Sequence, residues 1–358
     1  SMEPIGLLKE PVVQILTSIL LALILSLSIE PVAIFMSKKL GAIDLPGSAM
    51  HKKHNSAMPL AGGLVLIIVL PIFVLASNMW RESSLLFLFA GTGIIFLFGI
   101  VDDIHGLSAP KKFLGQFSAA AILAYSGTTI RFLETANLSL ELPVLSVLSW
   151  GLTLLWVVGI TNSFNLIDSM DGLVAGLTII IASFFTFVTL VSGQVMLSQL
   201  AAVLIGLSIG LYFYNKSPAR FFLGDSGSQV IGFLLAAIAI MYRPPDLNPG
   251  STWFTPILLL GIPIFDTSLV VISRLRRHKP LFQADRYHTY HRLVQMGFTS
   301  TQAVFVIQAL AFILCVIAFL SMFLPSLYAM SIFFTLLFMG LILIILFEKK
   351  MRIIDPDG

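Results

Sequence analysis

Charge is scarce in this chain. Only 11% of its 358 residues are Asp, Glu, Lys or Arg, against about 25% in an average soluble protein. Hydrophobic residues make up 57% and the mean hydropathy is +0.97. No single core absorbs that much apolar surface, so a soluble globular fold is excluded and lipid is the expected solvent. Cysteine is nearly absent: Cys315 stands alone in an apolar run, which rules out an intrachain disulfide and reads as an inert buried thiol. Zinc chemistry has neither an H-E-x-x-H segment nor a cysteine partner. No repeat of 20–50 residues and no low-complexity tract is visible.

What is present is a series of apolar runs. A bilayer needs about 20 apolar residues per helix, and eleven runs approach that length, near 12–36, 60–77, 84–101, 113–127, 144–161, 173–191, 197–214, 227–242, 253–273, 300–321 and 327–347. The fourth and eighth are short. The ninth holds Pro256, Gly261 and Pro263 and is expected to be bent or broken. The first is too long for a signal-peptide core and has no A-x-A cleavage site. Residues 128–142 alternate in parts, as in a small surface hairpin. With the N-terminus outside, only Lys9, Arg81, Arg131 and Arg243 of the 21 Lys and Arg lie outside, and the C-terminus is cytoplasmic. The expectation is an all-α polytopic membrane protein of about eleven transmembrane helices. It forms one integral membrane domain over 1–358, with a cytoplasmic recognition loop at 274–299.

The polar motifs fall on that same inner face. They are DLPGSAMHKKHNSAMPLAGG (44–63), VDDIHGLSAPKK (101–112), NSFNLIDSMDG (162–172), NKSPARFFLGDSGS (215–228) and RLRRHKPLFQADRYHTYHRL (274–293). Merely solvated loops do not segregate carboxylates, amides, glycines and histidines this way. Asp102 and Asp103 are adjacent, so on a helix their side chains diverge by roughly 100°. One can face a metal or nucleophile while the other meets Lys112 or a backbone donor. Asn165, Asp168 and Asp171 recur at i, i+3 and can form a ridge of oxygens, although a carboxylate there also suits a helix N-terminus. Asp225 sits between glycines that permit a tight backbone turn, where N–H groups and an acid gather about phosphate and metal. Oxygen ligands favour Mg²⁺. The D-x-x-H-x-x-H-R segment, with His288, His291 and Arg292, suits a pyrophosphate clamp, while Arg274 to Lys279 suit anionic lipid. Together these parts describe phosphate chemistry where a lipid headgroup meets cytosolic solute.

From about Asp44 to Arg292 the chain resembles the polyprenyl-phosphate N-acetylhexosamine-1-phosphate transferase family. That family's bacterial members initiate enterobacterial common antigen, O-antigen and teichoic acid linkage, and it includes the MurNAc-pentapeptide translocase. Five motifs in the family's order carry the likeness, with G-A-I-D-L-P, N-L-I-D-x-x-D-G-L, F-L-G-D-S-G-S and P-I-F-D-T pointing to the N-acetylglucosamine branch. The resemblance implies transfer of a sugar-1-phosphate from a UDP-N-acetylhexosamine to polyprenyl phosphate at the bacterial inner membrane. Mg²⁺ is the implied cofactor, with Mn²⁺ as a substitute, a homodimer is a family-level expectation, and no nucleic acid is involved.

Position by position, the resemblance makes Asp225 the main metal ligand with Asn165 beside it. Asp102, Asp103, Asp168, Lys112 and His291 become catalytic. Lys53, Asn162, Asp171, Asn215, Phe222, His288 and Arg292 become substrate contacts, with Asn215 and Phe222 lining the uracil. Two motifs depart from the family's pattern: Tyr290 stands where a histidine is common, and His51-Lys52-Lys53-His54 replaces R-K-x-H. The resemblance assigns no role to Asp266 or Glu30. An ion-coupled secondary transporter is the alternative, but it calls for charges near the midplane and two related halves. An intramembrane aspartyl protease wants G-x-G-D, and Phe222-Leu223-Gly224-Asp225 lacks the first glycine.

Overall fold

The computed structural model of the chain describes residues 4–45, 57–131, 141–278 and 288–354, with the side chains of 4–9 and 351–354 excepted. Contacts divide the chain into two compact units, residues 1–245 and 246–358. The first contains α1 (Pro4–Leu40), α2 (Gly62–Ala76), α3 (Ser83–His105), α4 (Ala109–Tyr125), α5 (Leu142–Ile167), α6 (Leu173–Val191), α7 (Val195–Asn215) and α8 (Gly224–Met241). Two-residue strands β1 (Ile43–Asp44) and β2 (Met58–Pro59) pair antiparallel between α1 and α2, with Ile43 opposite Pro59. The second unit contains α9 (Pro249–Thr252), α10 (Thr255–Leu259), α11 (Gly261–Arg276), α12 (Thr289–Gln295), α13 (Ser300–Ser321) and α14 (Ser326–Ile354).

The chain is thus an all-α polytopic membrane protein, and each of the eleven expected runs coincides with a helix or a bent pair. Among the described residues, eight helices are long and apolar enough to cross a membrane. The ninth run is broken, with 64° between Pro249–Leu259 and Gly261–Arg276. Pro263 has no N–H for the carbonyl one turn earlier, which ends the ladder at Leu260. With 15 and 17 residues, α2 and α4 lie at or just below the short end of the range for a crossing. The expected hairpin falls on 132–140, outside the described residues.

Helix α8 is the axis of the first unit. Every residue from Ser226 to Ile240 is buried, as its all-round apolar surface requires, and α2, α3 and α5 pack around it. Against α1, α7 presents Gly206 and Gly210, and a Cβ on Gly206 would lie 2.2 Å from the Ile19 carbonyl. Small residues four apart let membrane helices approach closely in this way. Glu30 is fully buried in that seam. One of its oxygens accepts from Ser26 Oγ at 3.1 Å, and the other has no partner among the described residues. The short connections reverse the chain repeatedly. As a result the C-terminal ends of α1, α3, α5 and α7 and the N-terminal ends of α2, α4, α6 and α8 share one end of the unit, as their mutual hydrogen bonds require.

Candidate active site

The site is built on the first turn of α8. Its approach strand is tied to the segment before α2: Phe222 N–H donates to the Pro59 carbonyl at 2.9 Å, and the Phe222 carbonyl accepts from Ala61 N–H at 3.1 Å. Gly224 then takes φ +73°, a left-handed turn open to glycine, and a Cβ there would meet the Asp103 carboxylate at 2.7 Å. The turn aims the first free donors of α8 at Asp103. Asp225 N–H reaches Oδ1 at 2.7 Å, while Ser226 N–H and Ser226 Oγ reach Oδ2 at 3.1 and 2.6 Å. Such donors have no partner within their own helix, and the helix dipole favours a negative group there. Asp103 of α3 is therefore a cap in trans for α8. The approach is possible because Gly99 and Gly63 bring α3 and α2 against Ser226, where added Cβ atoms would lie 2.5 Å from its Cα and 2.3 Å from its Oγ.

Asp102 points elsewhere. Its Oδ1 accepts from Leu107 N–H at 2.6 Å, and its Oδ2 pairs with the Lys112 ammonium. Lys112, from the first turn of α4, also donates to Asp225 Oδ2 at 2.8 Å. Asn165 of α5 donates to Asp225 Oδ1 at 2.9 Å and to Ser228 Oγ at 3.2 Å. Asp225 is thus gripped from α4 and α5 while standing on α8. The Lys112 and Asp225 side chains stay about a third exposed, at 32% and 30%, whereas Asp102 keeps 6%. A ligand therefore meets the ammonium and Asp225 first.

Helix α5 ends at Ile167, which places Asp168 at its C-cap and Asp171 in the turn beyond. The expected ridge over Asn165, Asp168 and Asp171 therefore does not continue as one helix. The N-cap of α6 is Gly172, at φ +73°, so both carboxylates stand just ahead of that helix. Burial, followed by the nearby charges of Asp225, Asp103 and Asp171, holds the Asp168 carboxyl well above the ordinary carboxylate range. With Asp102, five carboxyl groups thus stand in one electrostatic cluster around the Lys112 ammonium.

Two amides expected at the substrate are engaged within the protein. Asn215 is buried, accepting from Gly172 N–H at 3.0 Å and donating to the Phe221 carbonyl at 3.1 Å, which fixes the turn after α5 to the end of α7. Asn162 belongs to an amide layer one turn deeper than Lys112, Asn165 and Asp225. Its Nδ2 donates to Gln116 Oε1 at 2.6 Å, and Gln116 Nε2 donates to Gln229 Oε1 at 3.0 Å. Gln116 and Gln229 escape a reading based on charged motifs. Yet each lies four residues after a site residue, on the same helix face.

In the second unit, His288 Nδ1 lies 2.8 Å from Asp266 Oδ2, and Thr289 N–H donates to Asp266 Oδ1 at 2.7 Å. Arg292 is fully buried, and its guanidinium donates to Glu348 Oε1 at 2.7 Å. Arg292, expected in the pyrophosphate clamp, thus makes a buried ion pair with the last helix. His291 is partly exposed, its ring edge-on to buried Tyr290 and 6.4 Å from His288 between centroids. Lys53 lies outside the described residues. Among the described residues, no group of three or more His, Cys, Asp or Glu forms a ready-made metal cage.

Comparison with known proteins agrees with this architecture. The family described as Glycosyl transferase family 4 matches residues 85–243, which carry Asp102, Asp103, Lys112, Asn165, Asp168 and Asp225. A probable undecaprenyl-phosphate N-acetylglucosaminyl 1-phosphate transferase of Bacillus subtilis (strain 168) is 35% identical over 315 residues, covering 87% of this chain and 86% of that protein. A phospho-N-acetylmuramoyl-pentapeptide-transferase of Clostridium acetobutylicum is 29% identical, covering 86% of this chain and 99% of its own. An undecaprenyl-phosphate alpha-N-acetylglucosaminyl 1-phosphate transferase of Yersinia pestis is 28% identical over 84% of this chain and 82% of that one. The chain belongs to the family of polyprenyl-phosphate N-acetylhexosamine-1-phosphate transferases, within glycosyl transferase family 4.

Proposed function

We propose that this protein transfers N-acetylglucosamine-1-phosphate from UDP-N-acetylglucosamine to undecaprenyl phosphate, releasing UMP. The product is the lipid-linked first intermediate of a cell-envelope glycan. The observation that carries the reading is the cluster of Asp102, Lys112, Asn165 and Asp225, drawn from four helices to one end of the membrane unit. In the proposed topology α2 and α4 complete eleven crossings, the N-terminus is outside, and the site opens to the cytoplasm of a bacterial inner membrane.

A phosphate oxygen of the lipid attacks the β-phosphorus of the nucleotide sugar. The bond from that phosphorus to the oxygen bridging it to UMP breaks as the new anhydride bond forms. One anhydride replaces another, so the exchange is near thermoneutral. We assign Asp102 to positioning and deprotonating the lipid phosphate, since Asp103 is committed to the α8 backbone. Lys112 meets the phosphate charge, while Asn165 and Ser228 keep the Asp225 carboxylate aimed. Five clustered carboxyl groups around the Lys112 ammonium leave surplus negative charge even with the Asp168 proton retained, which repels a diphosphate unless a cation intervenes. The oxygen donors fit Mg²⁺, which takes one or two carboxylates and completes its shell with phosphate and water rather than a protein cage. Asp225 and the amide oxygen of Asn165 would hold it, with Mn²⁺ as a substitute. Bound there, the ion supplies charge neutralisation for the diphosphate.

The test incubates purified protein with Mg²⁺, undecaprenyl phosphate and a panel of UDP-sugars, scoring UMP release. UDP-N-acetylglucosamine is expected to be the best donor. No lipid-dependent UMP release with any UDP-N-acetylhexosamine refutes the reading.

A further inference from the structure

The buried carboxylate of Asp266 plays no part in the site on α8, and its two oxygens are bound to consecutive residues of the histidine motif. Oδ2 lies 2.8 Å from His288 Nδ1, and Oδ1 accepts the Thr289 N–H at 2.7 Å. Asp266 is 1% exposed and His288 6%. Asp266 stands in the second turn of α11, whereas Thr289 opens α12, so the bonds join two elements separated by residues 277–288.

We infer that Asp266 is the positioning residue of the histidine motif, holding the His288 ring by Nδ1 so that Nε2 is the nitrogen left to face a ligand. The inference rests on the reading above, in which a diphosphate is the substrate. Helix capping alone needs one oxygen, and the Thr289 bond supplies it. The second oxygen does something else. A ring nitrogen bonded to a carboxylate carries its proton there, which fixes the tautomer and turns the ring. His291, 6.4 Å away between centroids, packs instead on Tyr290. His288 is held by a buried acid, and His291 rests on a buried phenol.

The test is a double-mutant cycle in the full-length protein, read as kcat and KM for UDP-N-acetylglucosamine. The wild type is measured first. If it releases no UMP, the functional reading fails before any variant is made. With an active wild type, Asp266→Ala and His288→Ala are each expected to lower kcat/KM about 10–100-fold, the usual effect of removing such an outer partner. Their double variant is expected to be no worse than the poorer single one. Asp266→Asn keeps an oxygen for the Nδ1 proton without the charge, so it should fall between the wild type and Asp266→Ala. It also serves in the cycle if the alanine variant does not fold. A purely architectural Asp266 gives the opposite pattern: losses that multiply with those of His288→Ala and no recovery with Asn. Multiplying losses, or full activity in Asp266→Ala, overturn the inference.

Discussion

Replacing Asp103 separates two roles that a carboxylate can play here. In this structure its oxygens accept from Asp225 N–H, Ser226 N–H and Ser226 O–H, and Ser226 is fully buried. Asp103→Ala strands all three donors. Each buried donor left without a partner costs about 1–3 kcal/mol. The same change removes one negative charge from the carboxylate cluster, which acts in the opposite, stabilising direction. Asp103→Asn removes that charge equally but keeps one carbonyl oxygen in place. The difference between the two variants therefore isolates the hydrogen bonds. Asn is expected to be the more stable by roughly 1–3 kcal/mol, one rescued donor's worth. At roughly 2–4 °C per kcal/mol for a domain of this size, the melting temperatures should separate by several degrees, with Asn above Ala. Thermal unfolding of the purified variants in detergent micelles, followed by far-UV circular dichroism, reads this directly. Both should also lose turnover, because a loosened α8 terminus no longer aims Asp225. Equal melting temperatures for Ala, Asn and wild type, with turnover abolished, would refute the capping argument and make Asp103 a chemical participant.

Other outcomes follow from the same geometry. Asp225→Ala should abolish UMP release while leaving a folded protein, checked by size-exclusion chromatography; near-normal turnover contradicts its assignment. Chelation by EDTA should stop UMP release, and added Mg²⁺ should restore it. Gly99→Ala should destabilise by about 1–3 kcal/mol through overpacking, since its new Cβ would meet Ser226 Cα at 2.5 Å; an unchanged melting temperature argues against that close approach. Gln116→Leu strands amides of Asn162 and Gln229 and should cost about 1–3 kcal/mol. The triple replacement of Gln116, Asn162 and Gln229 by Leu should regain most of that stability, and a triple variant less stable than the single one would contradict the amide layer.

Composition and spacing alone establish that this chain lives in lipid and where its helical runs lie, and they single out the residues to which phosphate chemistry is assigned. Burial in a bilayer confines a backbone to helix or closed barrel, and apolar runs of about 20 residues select helix; charge is costly enough there that Asp102, Asp103, Lys112 and Asp225 stand out as candidates for function. The break in the ninth run was equally legible, because Pro263 removes a donor whatever surrounds it. The division of labour among those residues was not. Adjacent carboxylates look alike in a string of letters, and Asp103 became a cap only because Gly99, Gly63 and Gly224 let three helices meet at backbone distance. Asp168 and Asp171 kept an i, i+3 spacing that the end of α5 at Ile167 dissolved. Asn162, Asn215 and Arg292 found partners in Gln116, Gly172 and Glu348, distant in sequence and reached only by packing. Local chemistry is written residue by residue, whereas a side chain's partner depends on which helices lie beside it, a property of the folded chain.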